Sequence, residues 1–219
     1  MSNMQLDTLR RIVQEINASV SLHDSLDIMV NHVAEAMHVD VCSIYLLDER
    51  NKRYVLMASK GLKPEAVGHV SLNVGEGLVG LVGKREEIVN LDNAPKHERF
   101  AYLPETGEEL FNSFLGVPVM YRRKVMGVLV VQKKEPQDFS EAAESFLVTL
   151  CAQLSGVIAH AHAVGNIDVF RKPTSGSSYK TFQGVSGAGG IALGRAIVLY
   201  PPADLGVIPD REAEDISEE

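Results

Sequence analysis

The sequence lacks the features that mark secreted, membrane or disulfide-rich proteins. Its 219 residues contain no tryptophan and two cysteines, Cys42 and Cys151, which lie far apart without a CxxC spacing. Such cysteines predict neither a disulfide framework nor a zinc site, and a reducing cytoplasm is the expected compartment. Apolar runs such as Val128 to Val131 are far too short to span a bilayer. Residues 1–15 lack the basic start and apolar core of a signal peptide. We therefore predict a cytoplasmic protein with no membrane partner.

Positive charge is also scarce, and the negative charge is unevenly placed. The chain has 21 Lys and Arg against 29 Asp and Glu, a net charge of −8, and the excess of acid is concentrated after residue 203. The body before residue 200 is close to neutral, so charge predicts no nucleic-acid partner. The 45% hydrophobic and 23% charged fractions are typical of a soluble globular protein. The length allows one sizeable core, or one domain plus part of another.

The histidines do not form a recognisable catalytic or metal site. His160 and His162 are two apart on a predicted helix, so they point to different faces and cannot chelate one ion. No histidine stands beside a serine or cysteine in the setting of an activated nucleophile. Cys42, within a predicted strand, is interpreted as a small core residue. We predict no catalytic residue, no metal ligand and no enzymatic activity for this chain alone.

Apolar periodicity predicts three long helices. Residues 4–18 carry apolar side chains at helical spacing, and a second helix follows Ser21 and Asp24, which resemble a capping box. A last long helix begins after Asp138 and Ser140, which are both candidate caps.

Between the second and last helices, the spacing of apolar residues changes from the helical period to the pattern of strands. VCSIYLL and RYVLMAS are separated by residues 48–51 and predict a hairpin, and residues 67–72 predict a shorter strand. SFLGVPVMY and KVMGVLVVQ predict a second hairpin across residues 122–123. The order predicts an α+β fold in which one antiparallel sheet carries the first, second and last helices on one face. A short helix and a long loop would cover the other face.

The short helix belongs to the stretch from Gly75 to Asp92, GEGLVGLVGKREEIVNLD, around which we expect the domain to be organised. A helix that begins near Glu76 leaves its first amides without partners, and these donors suit a carboxylate or phosphate. The glycines also serve a tight turn and close helix–sheet packing, and the anion site is a further hypothesis in addition to this packing role. The GxGxxG match within the stretch does not indicate a dinucleotide site, because no βαβ unit surrounds it.

Two other segments supply candidate ligand contacts. Residues 93–112 form a long polar loop of the kind that often binds ligands, and this loop contains Phe100 and Tyr102. Asn90, Asp92 and Ser113 lie at predicted strand ends near the turn, where each would contact a ligand or cap backbone groups. For Asp92, capping is the preferred interpretation.

These motifs together resemble a GAF domain. Two N-terminal helices, then CSIYLLD, ASKGL, GEGLVGLVGKR, IVNLDNA and SFLGVPVMYRRKVMGVLVVQ occur in that order over about residues 4–163. The resemblance implies a six-stranded antiparallel sheet and a small-molecule regulatory pocket, into which Ser43 and Tyr45 of the first strand would point. For Tyr45, an ordinary half-buried strand residue is the preferred interpretation. The full set of predicted ligand contacts is Ser43, Tyr45, Gly77, Leu78, Val79, Asn90, Asp92, Phe100, Tyr102 and Ser113.

The remainder of the chain resembles a second region. After a GAF domain at 1–164, residues 165–180 are rich in Gly, Ser, Thr, Pro and Lys and predict a linker. Residues 181–219, with FQGVSGAGGIALGRAIVLYPPADL, resemble the start of the phosphohistidine region of enzyme I, the phosphoenolpyruvate–protein phosphotransferase. A GAF domain before that region resembles the nitrogen-related subtype of the bacterial phosphotransferase system, and so an N-terminal piece of a longer protein.

That resemblance implies a transferase, with kinase-type autophosphorylation, whose GAF domain has a role in nitrogen regulation. The full-length protein would pass phosphate from phosphoenolpyruvate to its own histidine and then to an HPr-like carrier, with magnesium as cofactor. Glutamine or 2-oxoglutarate would be the effector of the GAF domain. Small residues on the last helix, including Ala152 and Gly156, together with the resemblance, predict a homodimer through the first and last helices. A ligand-free structural dimerisation module and a cyclic-nucleotide-binding GAF domain are the alternatives.

Overall fold

The computed structural model describes residues 3–19, 21–106 and 111–163. The predicted linker at 165–180 and the predicted second region at 181–219 lie outside these residues. Those two domain assignments therefore stay predictions.

The described residues form four helices and six strands. The helices are α1 (Asn3–Ala18), α2 (Leu22–Met37), α3 (Gly77–Arg85) and α4 (Glu141–Ala163). The strands are β1 (Val41–Asp48), β2 (Arg53–Lys60), β3 (Ser71–Asn73), β4 (Val89–Leu91), β5 (Ser113–Tyr121) and β6 (Lys124–Lys133). They form a single antiparallel sheet in the order β3-β2-β1-β6-β5-β4. The predicted α+β class and the six-stranded sheet are confirmed.

The predicted strand at 67–72 differs from the observed chain. β3 covers Ser71–Asn73, and the residues before it include a 3-10 turn at Pro64–Ala66. Gly68 has a φ of +83°, a left-handed conformation that interrupts an extended run. Residues 67–72 have the side-chain pattern of a strand, but the left-handed backbone at Gly68 prevents them from forming one continuous strand.

Two apolar cores lie on the two faces of the sheet. On the first face, Cys42, Ile44 and Leu46 of β1 pack with residues of α1, α2 and α4. On the second face, Val41 and Tyr45 pack with α3 and with parts of the long loop. The two sets alternate along β1 as a strand requires, and the predicted division of helices between the faces is confirmed.

Local capping confirms two of the predicted helix starts. The Ser21 hydroxyl accepts a hydrogen bond from the Asp24 amide at 3.1 Å and donates one to the Asp24 carboxylate at 2.8 Å. At α4 the cap is Ser140, whose hydroxyl accepts from the Ala143 amide at 3.3 Å. Of the two candidate caps for α4, the serine takes that role.

α4 is also long and apolar enough to cross a membrane by length and composition. The same helix places Leu147, Leu150, Leu154 and Ile158 in the core on the first face of the sheet. Core helices of soluble proteins meet the same criterion, so the length and apolarity of α4 are weak evidence for a membrane span.

Candidate effector site at the start of α3

The start of α3 presents main-chain donors that have no acceptor within the described part of the chain. Glu76 precedes the helix in an extended conformation, and the first helical hydrogen bond runs from the Gly80 amide to the Glu76 carbonyl at 2.9 Å. The Glu76 carboxylate turns back and accepts from the Asn73 amide at 2.9 Å and its side chain at 2.8 Å, so it does not cap the helix. No described residue accepts from the amides of Gly77, Leu78 and Val79. All three residues are buried.

Two further glycines allow α3 to lie close to the turn and to the sheet. A Cβ on Gly80 would stand 2.8 Å from the Gly75 nitrogen and 2.9 Å from the Asn73 carbonyl oxygen. A Cβ on Gly83 would stand 1.9 Å from the hydroxyl oxygen of Tyr54. Side chains do not fit at such distances, so the packing interpretation of the glycine-rich stretch is confirmed.

Tyr54 lies beneath α3 and is almost fully buried, with 1% of its surface exposed. Burial raises the pKa of the Tyr54 hydroxyl, and the nearby negative charge of Glu86 raises it further. The tyrosine therefore stays neutral at physiological pH and acts as a packing residue with one polar end.

Residues 99–101 of the long loop lie beside the start of α3. Arg99 donates to the Gly75 carbonyl at 3.3 Å, and the Ala101 methyl group is 3.3 Å from where a Gly77 Cβ would be. Phe100 is partly buried and packs against the α3-side core, whereas Tyr102 is 55% exposed. Of the two predicted aromatic contacts, Phe100 lies within the packed layer and Tyr102 faces solvent.

Ser43 and Tyr45 lie on the α3 side of β1, as the alternation predicts. The Ser43 hydroxyl is 1% exposed and hydrogen-bonds the Ser59 hydroxyl of β2 at 2.8 Å. Tyr45 is 3% exposed and belongs to the apolar cluster on that face. Both side chains are therefore built into the packed sheet, with Ser43 already engaged by its neighbour.

Asn90 and Ser113 lie on the opposite face and do not join the site at α3. The Asn90 side chain donates to the Phe139 carbonyl at 2.8 Å and to Glu144 at 2.7 Å. The Ser113 hydroxyl donates to the Glu135 carbonyl and accepts from the Gln137 amide at 2.9 Å. Both residues bond to the chain that leads into α4, because strand alternation points them to the α4 side. We therefore remove them from the proposed ligand contacts.

Asp92 is exposed, and the described residues give its side chain no hydrogen-bond partner. The capping role that we preferred for Asp92 is not seen. Its position beside the long loop leaves a ligand contact as a prediction.

The first face carries an open groove of about 510 Å³ that the sequence did not predict. It lies between the end of α2 and the start of α4 and is lined by residues that include Met37, His38, Lys133, Phe139 and Phe146. The groove is separate from the predicted ligand contacts at α3.

The cysteines also lie on the first face, away from α3. Cys42 and Cys151 are both buried. Burial raises the pKa of both thiols, and the neighbouring Cys151 raises that of Cys42 further. Protonated thiols are poor nucleophiles, so the geometry assigns both cysteines to the core.

Comparison with known proteins agrees with this geometry. The GAF domain family model matches residues 21–158. A phosphoenolpyruvate-dependent phosphotransferase system protein of Salmonella typhimurium is 41% identical over 167 residues, which are 76% of this chain and 22% of that protein. The chain thus spans about a fifth of the length of that curated relative.

Solved structures show the same similarity. The GAF domain of an Acinetobacter phosphoenolpyruvate–protein phosphotransferase is 84% identical with a TM-score of 0.70, and the match covers 76% of this chain and 99% of that one. The corresponding domain from Coxiella burnetii is 44% identical with a TM-score of 0.72, and covers 75% and 99%. This chain therefore belongs to the GAF domain family, and its GAF domain is of the type found in phosphoenolpyruvate–protein phosphotransferases.

Proposed function

We propose that this chain is the regulatory part of a larger phosphoenolpyruvate–protein phosphotransferase and that it binds a small acidic effector at the start of α3. The controlled reaction would be phosphate transfer from phosphoenolpyruvate to an enzyme histidine and then to an HPr-like carrier. Its magnesium would act in the catalytic part of the full-length protein. Within the described residues, no three His, Cys, Asp or Glu side chains are arranged to hold a metal ion.

The observation that carries this proposal is the set of unpaired amides at Gly77, Leu78 and Val79. Buried main-chain donors are nearly always hydrogen-bonded, and the first turn of a helix also carries partial positive charge. A carboxylate satisfies both requirements at once. Glutamine and 2-oxoglutarate, the effectors that the family resemblance suggests, each offer one.

The nature of the ligand can be tested without changing the protein. We expect 2-oxoglutarate or glutamine to bind the 219-residue chain, and the 2-oxoglutarate diester or the glutamine ester, which have no free carboxylate, to bind about ten- to a hundredfold more weakly. That range corresponds to the loss of one charge-assisted hydrogen bond, roughly 1.5–3 kcal/mol. Isothermal titration of acid and ester, with cyclic nucleotides as a third set, measures the difference. Equal affinity for acid and ester would show that the start of α3 is a packing feature.

A substitution at Gly77 has to be compatible with the left-handed backbone conformation of this residue. Gly77 has a φ of +62°, whereas proline fixes φ near about −65°. A Gly77→Pro substitution would therefore distort the turn as well as remove a donor, and a loss of binding could not be assigned to the donor. The ligand analogues avoid this difficulty.

A ligand-free dimerisation module is the second candidate, because the α3 face of the sheet is filled by its own side chains. Tyr45, Tyr54, Phe111 and Phe114 are all buried there. Absence of binding to every compound in the titration, combined with a stable dimer, would favour this function over effector sensing.

Dimerisation through α4 is a separate prediction. Gly156 is exposed, and a Cβ there would meet nothing within 4 Å, so a larger side chain does not clash inside one chain. We expect Gly156→Leu to leave the fold intact and to shift the chain from dimer towards monomer, because it overfills a close helix–helix contact. Sedimentation velocity over a concentration series measures the shift. A monomeric unmodified chain at high concentration would refute the dimer.

A further inference from the structure

Residues 134–140 connect β6 to α4, and we call them the connector. Side chains just before β1 and at the start of β5 bind its main chain. The Lys134 amide donates to the Asp40 carboxylate at 2.9 Å, and the Asn112 side chain donates to the Lys134 carbonyl at 2.6 Å. Ser113 bridges the Glu135 carbonyl and the Gln137 amide. The connector is therefore fixed by specific polar contacts along its length.

Asn90 of β4 makes the most complete of these contacts. Its side-chain oxygen accepts from the Phe139 amide at 3.2 Å while its nitrogen donates to the Phe139 carbonyl at 2.8 Å. The same nitrogen donates to the Glu144 carboxylate in the first turn of α4 at 2.7 Å. One side chain thus fixes both main-chain groups of the last buried connector residue and the orientation of the helix that follows.

Three of the residues that bind the connector lie at the two ends of the long loop. Asn90 lies three residues before the loop, Asn112 is its last residue, and Ser113 follows it. The two flanks are joined to each other by a hydrogen bond of 2.6 Å from the Ala94 amide to the Asn112 carbonyl. The segment 94–106, whose Arg99 and Ala101 lie beside the start of α3, is therefore bonded at both flanks to the connector on the other face of the sheet.

We propose that the connector couples the segment 94–106 to the start of α4, with Asn90 as the principal positioning residue. A displacement of α4 requires the Phe139 and Glu144 contacts to break or the β4 flank to move with them. By reciprocity, a change in the segment 94–106 biases α4 to the same extent. The regulatory meaning of this coupling depends on the proposed function, because α4 is the helix from which the remainder of the chain continues.

The physical evidence for coupling is a contiguous hydrogen-bonded network, and its energetic strength is what an experiment has to measure. A purely local role is the competing explanation, in which Asn90 only stabilises the first turn of α4. The two explanations predict different effects when the Asn90 contacts are lost. Coupling predicts faster hydrogen exchange in the segment 94–106 as well as in α4, whereas a local role predicts faster exchange in α4 alone.

Hydrogen exchange of the 219-residue chain, measured by mass spectrometry, distinguishes coupling from a local role of Asn90. We expect Asn90→Ala, which removes three hydrogen bonds, to raise the exchange rate at least about tenfold both in the first two turns of α4 and in the segment 94–106. The matched control is Asn51→Ala, which removes an Asn–carboxylate hydrogen bond to Asp48 that is also 2.7 Å long. The control should leave both segments unchanged.

A rise confined to α4, a rise confined to the loop, or an equal rise in the control variant would each overturn the proposal. If Asn90→Ala does not fold, Glu144→Ala gives the same test, because it removes only the helix contact and leaves the Phe139 contacts in place. We expect it to produce the same pattern with a smaller rise. This experiment needs no effector and no phosphotransfer. Its failure is therefore distinct from the failure of the proposed function, which the ligand titration would reveal.

Discussion

Replacing Gly83 with alanine is expected to destabilise the domain by about 1–3 kcal/mol, the usual cost of overpacking a close contact. The added methyl group would lie 1.9 Å from the Tyr54 hydroxyl oxygen and 2.4 Å from the ring carbon that carries it. Tyr54 has no free space to retreat into, since it is 1% exposed within the apolar cluster beneath α3. The helix must therefore lift away from the sheet, or the tyrosine must displace its neighbours.

The matched control is the same substitution on α4. Gly156→Ala places its methyl group in open space, and alanine is favoured over glycine in a helix interior by about 1 kcal/mol. The same substitution should thus lower the free energy of unfolding at Gly83 and raise it at Gly156. Urea unfolding at low protein concentration measures both. Similar destabilisation at Gly83 and Gly156 would contradict the packing explanation.

A double variant locates the clash. Combining Gly83→Ala with Tyr54→Leu removes the ring that the new methyl group meets, so the two free-energy changes should be less than additive. An interaction energy of about 0.5–3 kcal/mol is typical for residues in contact. Strict additivity would mean that the Gly83 effect arises elsewhere.

Raising the pH above 9 is expected to destabilise the domain steeply. Burial raises the pKa of Cys42 and Cys151 above the ordinary value of 9.0, with Cys151 adding to the effect on Cys42. The folded state keeps these protons while the unfolded state releases them. The unfolded state therefore binds fewer protons above pH 9, and the free energy of unfolding falls as pH rises. Below pH 9.0 neither state releases the protons, and the full stability is retained.

The magnitude follows from proton linkage. Each thiol that stays protonated in the folded state contributes a loss of about 1.4 kcal/mol per pH unit above its ordinary pKa. Tyr54, whose pKa is raised by burial and by Glu86, adds to the loss above its ordinary value of 10.0. Chemical unfolding of the reduced protein at several pH values measures the slope.

Cys151→Ala is the control for this slope. Below pH 9 the variant should be less stable than the unmodified chain, because the substitution leaves a small cavity. Above pH 9 its free energy of unfolding should decrease by about 1.4 kcal/mol less per pH unit than that of the unmodified chain. Parallel pH profiles for the two proteins would show that the cysteines do not carry the effect.

The sequence by itself determined the elements and their distribution between the two faces. Alternation along β1 separates Cys42 and Ile44 from Tyr45, and this period is a local property of a strand. The Ser21–Asp24 cap is equally local, since both partners lie within one helical turn. The close-packing role of the α3 glycines also follows from the sequence, because small size is visible there even when the neighbour is not.

Only the tertiary structure decided which polar residues belong together. Asn90 and Ser113 stand at strand ends near the α3 turn in sequence, yet they bind the connector on the other face. Phe139, the partner of Asn90, is 49 residues away along the chain. A local pattern contains no information on such a partner, because the contact depends on strand order and register across the whole sheet. For the same reason, the sequence could not show that the Ser43 hydroxyl is hydrogen-bonded to the Ser59 hydroxyl. Nor could it show that tyrosine and phenylalanine side chains fill the α3 face of the sheet.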